Sequence, residues 1–282
     1  MPLSPIPSLD FGGDGPDLLF LHANGYPPAC YRPLLSRLAK TNHVIAMMQR
    51  PLWKDSRPED IQDWTPFTDD LLRFLDENAS RVPLTVVGHS MGGIAALRAA
   101  LLQPDQFRSL ILLDPVLLPP YFIVIWNIAL TFKFAHLLHP HLTSTANRRR
   151  EFDDLERIFN SYRPRSAFRY MDDEALHAYI EGITSPKETG GYRLLYSPEW
   201  ETRVYYASIW RDMDLWRGLK HLKVSTLIIR GVQTDTFWKS TARQVTRLNP
   251  AIRVETIESA THLVALEQPQ EVVNITKKFL MA

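Results

Sequence analysis

Short apolar runs alternate with helical patterns along most of this 282-residue chain, and this alternation constrains the fold more than any other feature. Most of the runs are rich in Leu or β-branched residues and are bounded by Gly, Pro or Asn, which is typical of strands covered on both faces. Strands that alternate with helices predict parallel pairing and right-handed crossovers. We therefore predict an α/β fold with helices on both faces of a mostly parallel central sheet. The predicted strands cover residues 18–22, 43–49, 84–88, 109–114, 225–231 and 252–259.

A long segment without such strand patterns interrupts the alternation after the strand that ends at Asp114. Residues 116–220 are aromatic and charged, with helical patterns such as the one at 171–183. An insertion between two strands of such a sheet is expected to lie over the carboxyl ends of the strands, where ligands bind in such folds. We therefore expect residues 1–115 and 221–282 to form one core and residues 116–220 to form a helical lid over it.

Composition and charge exclude several classes of protein. A chain that is 45% hydrophobic and 22% charged is typical of a folded protein rather than a disordered one. Lys and Arg number 32 against 31 Asp and Glu, so we predict no nucleic-acid partner. The single cysteine, Cys30, cannot form an intramolecular disulfide, and residues 1–7 do not resemble a signal peptide. We therefore expect a cytoplasmic protein, of unknown oligomeric state.

One apolar segment, residues 121–138, resembles a membrane span. It has 18 residues and three polar interruptions, whereas a span needs about 20 apolar residues. We favour a lid helix with one buried face, and peripheral contact with a membrane through this segment stays open. His136, His139 and His141 follow one another closely but have no acidic or cysteine partner nearby, so we predict no metal site there.

Residues 88–93, Gly-His-Ser-Met-Gly-Gly, carry the sharpest chemical signal. They follow a predicted strand and open a predicted helix, the context in which Gly-x-Ser-x-Gly places a serine on a strained turn at the sheet edge. The glycines let neighbouring backbone approach that turn, and the helix N-terminus favours developing negative charge. This pattern predicts Ser90 as a nucleophile.

A serine nucleophile needs an adjacent base and a carboxylate that orients that base. His262 follows the last predicted strand and lies at the same edge of the sheet as Ser90. Asp235 lies four residues beyond the strand at 225–231, whereas Asp114 ends an earlier strand. We favour Asp235 because it completes the order Ser, Asp, His along the chain, and we expect Asp114 to secure the end of its strand.

An acyl-transfer site also needs at least two hydrogen-bond donors for an oxyanion. The backbone N–H of Met91, directly after Ser90, is one candidate. The second donor is expected from the loop at residues 22–28, which follows the first predicted strand.

The sequence resembles the α/β-hydrolase superfamily in the motifs LLFLHANG, GHSMGG, RGVQTDTF and ATHLVALEQP. The similarity covers residues 9–115 and 221–282. Within the insertion, the fragments RRREFDDLERI, DDEALHAYIEGI and YSPEWE are similar to a lidded, serine esterase-like subgroup. The resemblance implies the α/β-hydrolase fold, with a catalytic triad of Ser90, Asp235 and His262.

The same resemblance implies that Met91 and Asn24 form the oxyanion hole. Ala23 stands where the family usually has Gly. Tyr26, with the preceding Gly25, and the side-chain amide of Asn24 are therefore alternative donors.

A serine at this turn also argues against epoxide hydrolases and haloalkane dehalogenases, which use Asp as the nucleophile in this superfamily. A serine forms an acyl-enzyme, which predicts a carboxylesterase- or lipase-like enzyme for small apolar esters, without a metal or organic cofactor. Lactonase, C–C bond hydrolase or perhydrolase activity with the same triad is an alternative, and so is a non-catalytic ligand receptor. The residues that we expect to contact substrate are Tyr26, Phe122, Trp126, Phe237 and Leu263.

Overall fold

The fold is taken from a computed structural model, which describes residues 4–78, 81–132 and 145–282. The strands in these residues are β1 (Ser8–Gly12), β2 (Asp17–Leu21), β3 (His43–Met47), β4 (Leu84–His89), β5 (Phe107–Leu113), β6 (Glu151–Phe152), β7 (Thr184–Pro186), β8 (Tyr192–Leu194), β9 (Ser225–Gly231) and β10 (Arg253–Ile257).

The helices are α1 (Arg32–Leu38), α2 (Thr65–Glu77), α3 (Met91–Leu102), α4 (Pro120–Thr131), α5 (Leu155–Tyr162), α6 (Asp173–Ile183), α7 (Pro198–Tyr206), α8 (Met213–Gly218), α9 (Lys239–Leu248), α10 (Val264–Glu267) and α11 (Pro269–Leu280). Short 3₁₀ helices occur at Pro28–Tyr31, Arg50–Leu52, Pro58–Asp60, Pro104–Gln106, Ser166–Phe168 and Leu219–His221.

Seven strands form the central sheet in the order β1-β3-β2-β4-β5-β9-β10. β1 pairs with β3 in the antiparallel direction, and every other neighbouring pair is parallel. The mostly parallel sheet predicted from the sequence is therefore confirmed. The antiparallel edge strand β1 was not predicted, because its residues are partly exposed and form no apolar run.

Alternation along the strands divides the interior into two cores, one on each face of the sheet. Leu110 and Leu112 pack on one face with residues of α2 and α3, whereas Ile111 and Leu113 pack on the other face with residues of α1 and α11. A strand turns successive side chains to opposite faces, so a strand buried on both faces must be apolar throughout. This requirement explains the continuous apolar runs that predicted these strands.

Residues 116–220, which we call the insertion, connect β5 to β9, two neighbouring strands of the sheet. The helix predicted at 171–183 is present in the insertion as Asp173–Ile183, and it begins where the Asp172 side chain accepts a hydrogen bond of 2.7 Å from Ala175 N. The insertion also contains a small antiparallel sheet in the order β6-β8-β7, which the sequence did not predict. Strands of two or three residues are too short to produce a periodic signal. The exact division between core and lid stays a prediction.

Helix α4 covers only the first part of the apolar segment at 121–138. Residues 133–138, together with His139 and His141 of the histidine cluster, lie outside the described residues. No helix in the part of the chain that the structure describes is long and apolar enough to cross a membrane. Both faces of α4 are apolar, so contact of its outer face with a membrane surface stays a prediction. Its buried residues are Ile123, Trp126 and Ala129, and its exposed large apolar residues are Tyr121, Val124, Ile125 and Ile128.

A buried ion pair joins the insertion to helix α3, which follows the serine turn. Arg98 Nη2 lies 2.8 Å from Asp212 Oδ1, and the two side chains are only 11% and 2% exposed. Burial raises the pKa of Asp212 to about 6, against the opposing effect of Arg98. Removing one partner of such a pair leaves an uncompensated charge in the interior.

We expect Arg98→Met to lower the free energy of unfolding by about 3–5 kcal/mol, because Asp212 then loses its cation. Arg217→Met is the matched control, since Arg217 pairs with Asp214 at the surface and such exposed pairs contribute about 1 kcal/mol or less. Urea unfolding measures both values. Equal losses in the two variants would contradict the role of the buried pair.

Candidate active site

Ser90 stands on a strained turn between β4 and α3. Its φ of 56° lies in the left-handed region, which non-glycine residues rarely adopt. A Cβ at Gly88 would lie 2.5 Å from the carbonyl oxygen of Gly92, and a Cβ at Gly92 would lie 2.6 Å from that of Leu21. Only glycine fits these two positions, which explains why the motif has glycine on both sides of the serine.

His262 lies in the turn between β10 and α10, and its imidazole meets the serine. Nε2 of His262 is 2.9 Å from Oγ of Ser90. Two contacts fix this turn: Nε2 of His89 donates to the backbone oxygen of His262 at 2.9 Å, and Thr261 N donates to the Glu267 carboxylate at 2.6 Å. The structure therefore brings together the predicted nucleophile and base.

The carboxylate that contacts His262 belongs to Asp114. Its Oδ1 lies 3.0 Å from Nδ1 of His262, and its side chain is fully buried. Asp235 is exposed, and no hydrogen bond joins its side chain to His262 in the described residues. The sequence-based choice of Asp235 as the partner of His262 is therefore wrong, and Asp114, the competing candidate, makes the contact.

The order of the strands explains this correction. β5 lies directly between β4, which delivers Ser90, and β9, which precedes Asp235. Backbone hydrogen bonds continue past the strand ends, from Ser90 N to Leu113 O at 3.0 Å and from Asp114 N to Ile229 O at 2.7 Å. Asp114 then turns with a positive φ of 42°. Chain order alone does not contain this lateral arrangement.

Residues on both sides of Asp235 support the Asp114 carboxylate instead. The hydroxyls of Thr234 and Thr236 donate to Oδ1 of Asp114 at 2.5 and 2.6 Å, and Gly231 N donates to Oδ2 at 2.9 Å. Oγ1 of Thr236 also lies 2.8 Å from Nδ1 of His262, where it can accept from the imidazole. Neither threonine was predicted as a site residue, because the only signal of each in the sequence is its position beside a candidate acid.

This environment favours the protonated form of His262. Burial lowers its pKa. The hydrogen bond and charge of Asp114, followed by the charges of Asp235 and Glu267, raise this pKa by more than burial lowers it. The pKa of His262 therefore lies above its ordinary value of 6.5. Chemically, the chain Ser90–His262–Asp114 can take a proton from the serine hydroxyl and stabilise the resulting imidazolium.

The backbone N–H groups of Asn24 and Met91 are the available donors near Ser90. Tyr26 N donates to Ala23 O at 3.2 Å, so this alternative donor is already used. The side-chain amide of Asn24, the other alternative donor, donates to Glu201 O at 3.0 Å and is therefore also used. Among the residues described, no intramolecular hydrogen bond occupies the N–H of Asn24 or Met91.

A buried chain of hydrogen bonds links the loop at 22–28 to the turn of His262. Ala23 N donates to the hydroxyl of Tyr31 at 3.2 Å, and this hydroxyl lies 2.7 Å from Nδ1 of His89. Since Nε2 of His89 must carry the proton that it donates to His262 O, Nδ1 accepts from Tyr31. Burial, followed by the neighbouring His262, lowers the pKa of His89 to about 3, which keeps the imidazole neutral.

A cavity of about 770 Å³ opens above Ser90 and His262, between the sheet edge and the insertion. Most of the predicted substrate contacts line this cavity, namely Tyr26, Phe122, Trp126 and Leu263. Phe237 does not line it, because its side chain is fully buried in the core and its carbonyl accepts from Arg230 Nε.

The cavity has an apolar wall and a polar wall. Residues that follow β5, residues of α4 and residues of the segments after α7 and β9 pack together as the apolar wall: Val116, Leu118, Phe122, Trp126, Ile209 and Trp238. The polar wall contains Tyr26, Arg148, Tyr162, Tyr179, Glu201 and Tyr205. Within the described ranges, no cluster of three or more His, Cys, Asp or Glu residues is placed to hold a metal ion.

Comparison with known proteins supports the same fold. The model of the alpha/beta hydrolase family matches residues 18–275. A 2-(acetamidomethylene)succinate hydrolase of Mesorhizobium japonicum is 24% identical over 272 residues, which are 96% of this chain and 90% of that protein. An epoxide hydrolase 2 of Caenorhabditis elegans is 24% identical over 278 residues, 95% of this chain and 74% of the relative.

Solved structures show the same likeness. A crystal structure of E-2-(acetamidomethylene)succinate hydrolase has a TM-score of 0.77 at 23% identity, covering 98% of this chain and 94% of the other. An esterase of M. tuberculosis has a TM-score of 0.74 at 19% identity, covering 100% and 91%. The family match, the parallel sheet and the strained serine turn together show that this chain belongs to the alpha/beta hydrolase family and is a hydrolase.

Proposed function

We propose that this hydrolase cleaves carboxylic esters through an acyl-enzyme on Ser90. The contact of 2.9 Å between Ser90 Oγ and His262 Nε2, on a turn that exposes the hydroxyl to the cavity, carries the proposal. A hydroxyl activated in this way attacks a carbonyl carbon, which distinguishes it from the Asp nucleophile of epoxide hydrolases. The apolar wall of the cavity favours a substrate with an apolar group on one side of the ester.

In this mechanism, His262 accepts the proton of Ser90 as the hydroxyl attacks the ester carbonyl. The backbone N–H groups of Asn24 and Met91 hold the oxyanion of the tetrahedral intermediate. The intermediate collapses as His262 gives its proton to the leaving alcohol. Water, deprotonated by the same imidazole, then attacks the acyl-enzyme and releases the acid.

Asp114 has the role of the third member of the triad in this proposal. Its buried carboxylate accepts from Nδ1 of His262, which holds the imidazole in the tautomer that presents a bare Nε2 to Ser90. Thr234, Thr236 and Gly231 donate to the carboxylate, so it stays in place while the imidazole gains and loses a proton. Asp235, exposed at the cavity, acts on His262 through its charge and not as the acceptor of Nδ1.

A second candidate is the hydrolysis of an amide-bearing dicarboxylic acid, the substrate class in the names of two relatives that each align with over nine-tenths of this chain. Three arginines among the residues that line the cavity, Arg148, Arg165 and Arg169, favour it. The acyl-enzyme chemistry would be the same on Ser90. Comparing turnover of an apolar aryl ester with that of an acidic amide separates the two candidates.

Ser90→Ala should lower kcat for a short-chain aryl ester by several orders of magnitude. The residual acceleration over the uncatalysed reaction should be about 10³–10⁴-fold, because substrate binding and the oxyanion donors remain. Spectrophotometric release of the phenol measures this loss, with the circular dichroism spectrum as a control for folding. Near-normal turnover by the variant would overturn the proposal, and a wild-type protein that binds esters without cleaving them would favour a ligand receptor.

Asp114→Asn should lower kcat by about 10³–10⁴-fold, because the amide no longer stabilises the imidazolium and favours the wrong tautomer. Asp235→Asn is the matched control, since it makes the same change in the other aspartate whose charge acts on His262, and it should lower kcat by less than about 10-fold. Steady-state kinetics with one ester compares the two variants. The reverse ranking would restore Asp235 as the third member of the triad.

The logarithm of kcat/KM should rise with pH until His262 loses its proton, because only neutral imidazole can act as a base. The pKa of His262 is raised, so the midpoint should lie above the ordinary value of 6.5. In Asp114→Asn, the midpoint should move to lower pH, since burial still lowers this pKa while the main opposing contribution is lost. A pH–rate profile with an unshifted midpoint in the variant would contradict this assignment.

A further inference from the structure

The insertion holds the loop that carries the proposed oxyanion donor Asn24. Nδ2 of Asn24 donates to the backbone oxygen of Glu201 at 3.0 Å, and the Tyr196 hydroxyl donates to Oδ1 of Asn24 at 2.9 Å. These bonds occupy both ends of the Asn24 side chain. The backbone N–H of Asn24 is therefore positioned by residues about 170 positions further along the chain.

The carboxylate of Glu201 also packs against this loop. Gly25 has a φ of 77°, and a Cβ at this position would lie 2.9 Å from Cδ and 3.0 Å from Oε1 of Glu201. The side chain of Glu201 is only 9% exposed. A negative charge is thus placed beside the residue that follows Asn24, in the region where the proposed reaction develops an oxyanion.

Arg148 supplies a positive charge at the same place. Its Nη1 lies 2.8 Å from Oε2 of Glu201, and its Nη2 donates to the hydroxyl of Tyr179 at 3.0 Å. Arg148 is only 18% exposed, and it lines the same cavity as Ser90. In the sequence, Arg148 belongs to a run of three arginines that is similar to lidded esterases and that predicted no function of its own.

Four phenols among the described residues also face Glu201. Burial raises the pKa of each of these phenols above its ordinary value, so they are neutral at the pH at which His262 works. They come from the loop at 22–28, from α6, from the segment before α7 and from α7 itself: Tyr26, Tyr179, Tyr196 and Tyr205. Arg148, in contrast, contributes a cation that pairs directly with Glu201.

We propose that Arg148 and Glu201 act as a charge-compensated pair that positions the oxyanion loop. Glu201 holds Asn24 and Gly25 in place, and Arg148 cancels the negative charge that this contact would otherwise direct at the oxyanion. This inference rests on the proposed acyl-enzyme mechanism on Ser90. Both are positioning residues, because neither contacts the reacting atoms.

Arg148→Met should lower kcat by about 10- to 100-fold with a smaller change in KM, less than the loss of a direct oxyanion donor. Arg148→Met/Glu201→Gln should recover most of this loss, because both charges are then absent and the backbone oxygen that holds Asn24 remains. Glu201→Gln alone should not lower kcat by 10-fold, since it leaves a cation beside the loop. This last variant tests the inference even if Arg148→Met fails to fold.

The chain offers a matched control two residues away. Arg150 pairs with Glu199, as Arg148 pairs with Glu201, but these side chains are 55% and 53% exposed. Arg150→Met should therefore leave kcat within about 2-fold of the wild-type value, because solvent screens exposed charges. An equal loss in Arg150→Met would indicate a general effect of the insertion.

Recovery in the double variant separates charge compensation from a structural effect, because a merely structural role for Arg148 would leave the double variant at least as impaired as Arg148→Met. A double variant with the summed losses of the single variants would overturn the inference while Ser90-dependent turnover upholds the mechanism. Turnover that does not depend on Ser90 would overturn both.

Discussion

The parallel hydrogen-bond ladder through β4, β5 and β9 is the constraint on which the site depends. Because parallel strands end at one edge, the residues that follow them are brought together without any contact between neighbours in sequence. Ser90 N still bonds to β5, and Asp114 N still bonds to β9, so the ladder extends into the site itself. The strained φ values of Ser90 and Asp114 occur where the chain leaves this ladder. A rigid sheet can hold such conformations in place, and strain of this kind clusters at functional sites.

Much of this arrangement could be predicted from the sequence, because its signals are local. The strand before Ser90, the glycines around it and the helix after it form one continuous motif, and His262 follows a recognisable strand. The choice between Asp114 and Asp235 was different, since Asp114 ends one predicted strand and Asp235 follows another. It depends on the lateral order of the strands and on the hydroxyls of two threonines, neither of which has a signal in chain order.

The insertion shows a second limit of sequence reasoning. Its helical character and its helix at 171–183 were predicted from the sequence, but its contacts with the core were not. Asn24 was predicted as an oxyanion donor by resemblance, whereas its side-chain bonds to Tyr196 and Glu201 join positions far apart in the chain. Phe237 was expected at the substrate and instead fills the core, because an aromatic residue near a candidate acid does not reveal the direction of its side chain. Long-range pairings of this kind decide how a shared fold is adapted to its substrate.

The proposed function depends on covalent attachment of the ester's acyl group to Ser90. Acid quenching of the wild-type enzyme during turnover of a slowly cleaved ester, followed by proteolysis and mass spectrometry, detects this step. The peptide that contains Ser90 should carry the mass of the acyl group at the hydroxyl of that residue. Turnover without this adduct under conditions in which deacylation limits the rate, or an acyl group on a different side chain, would contradict the proposed function.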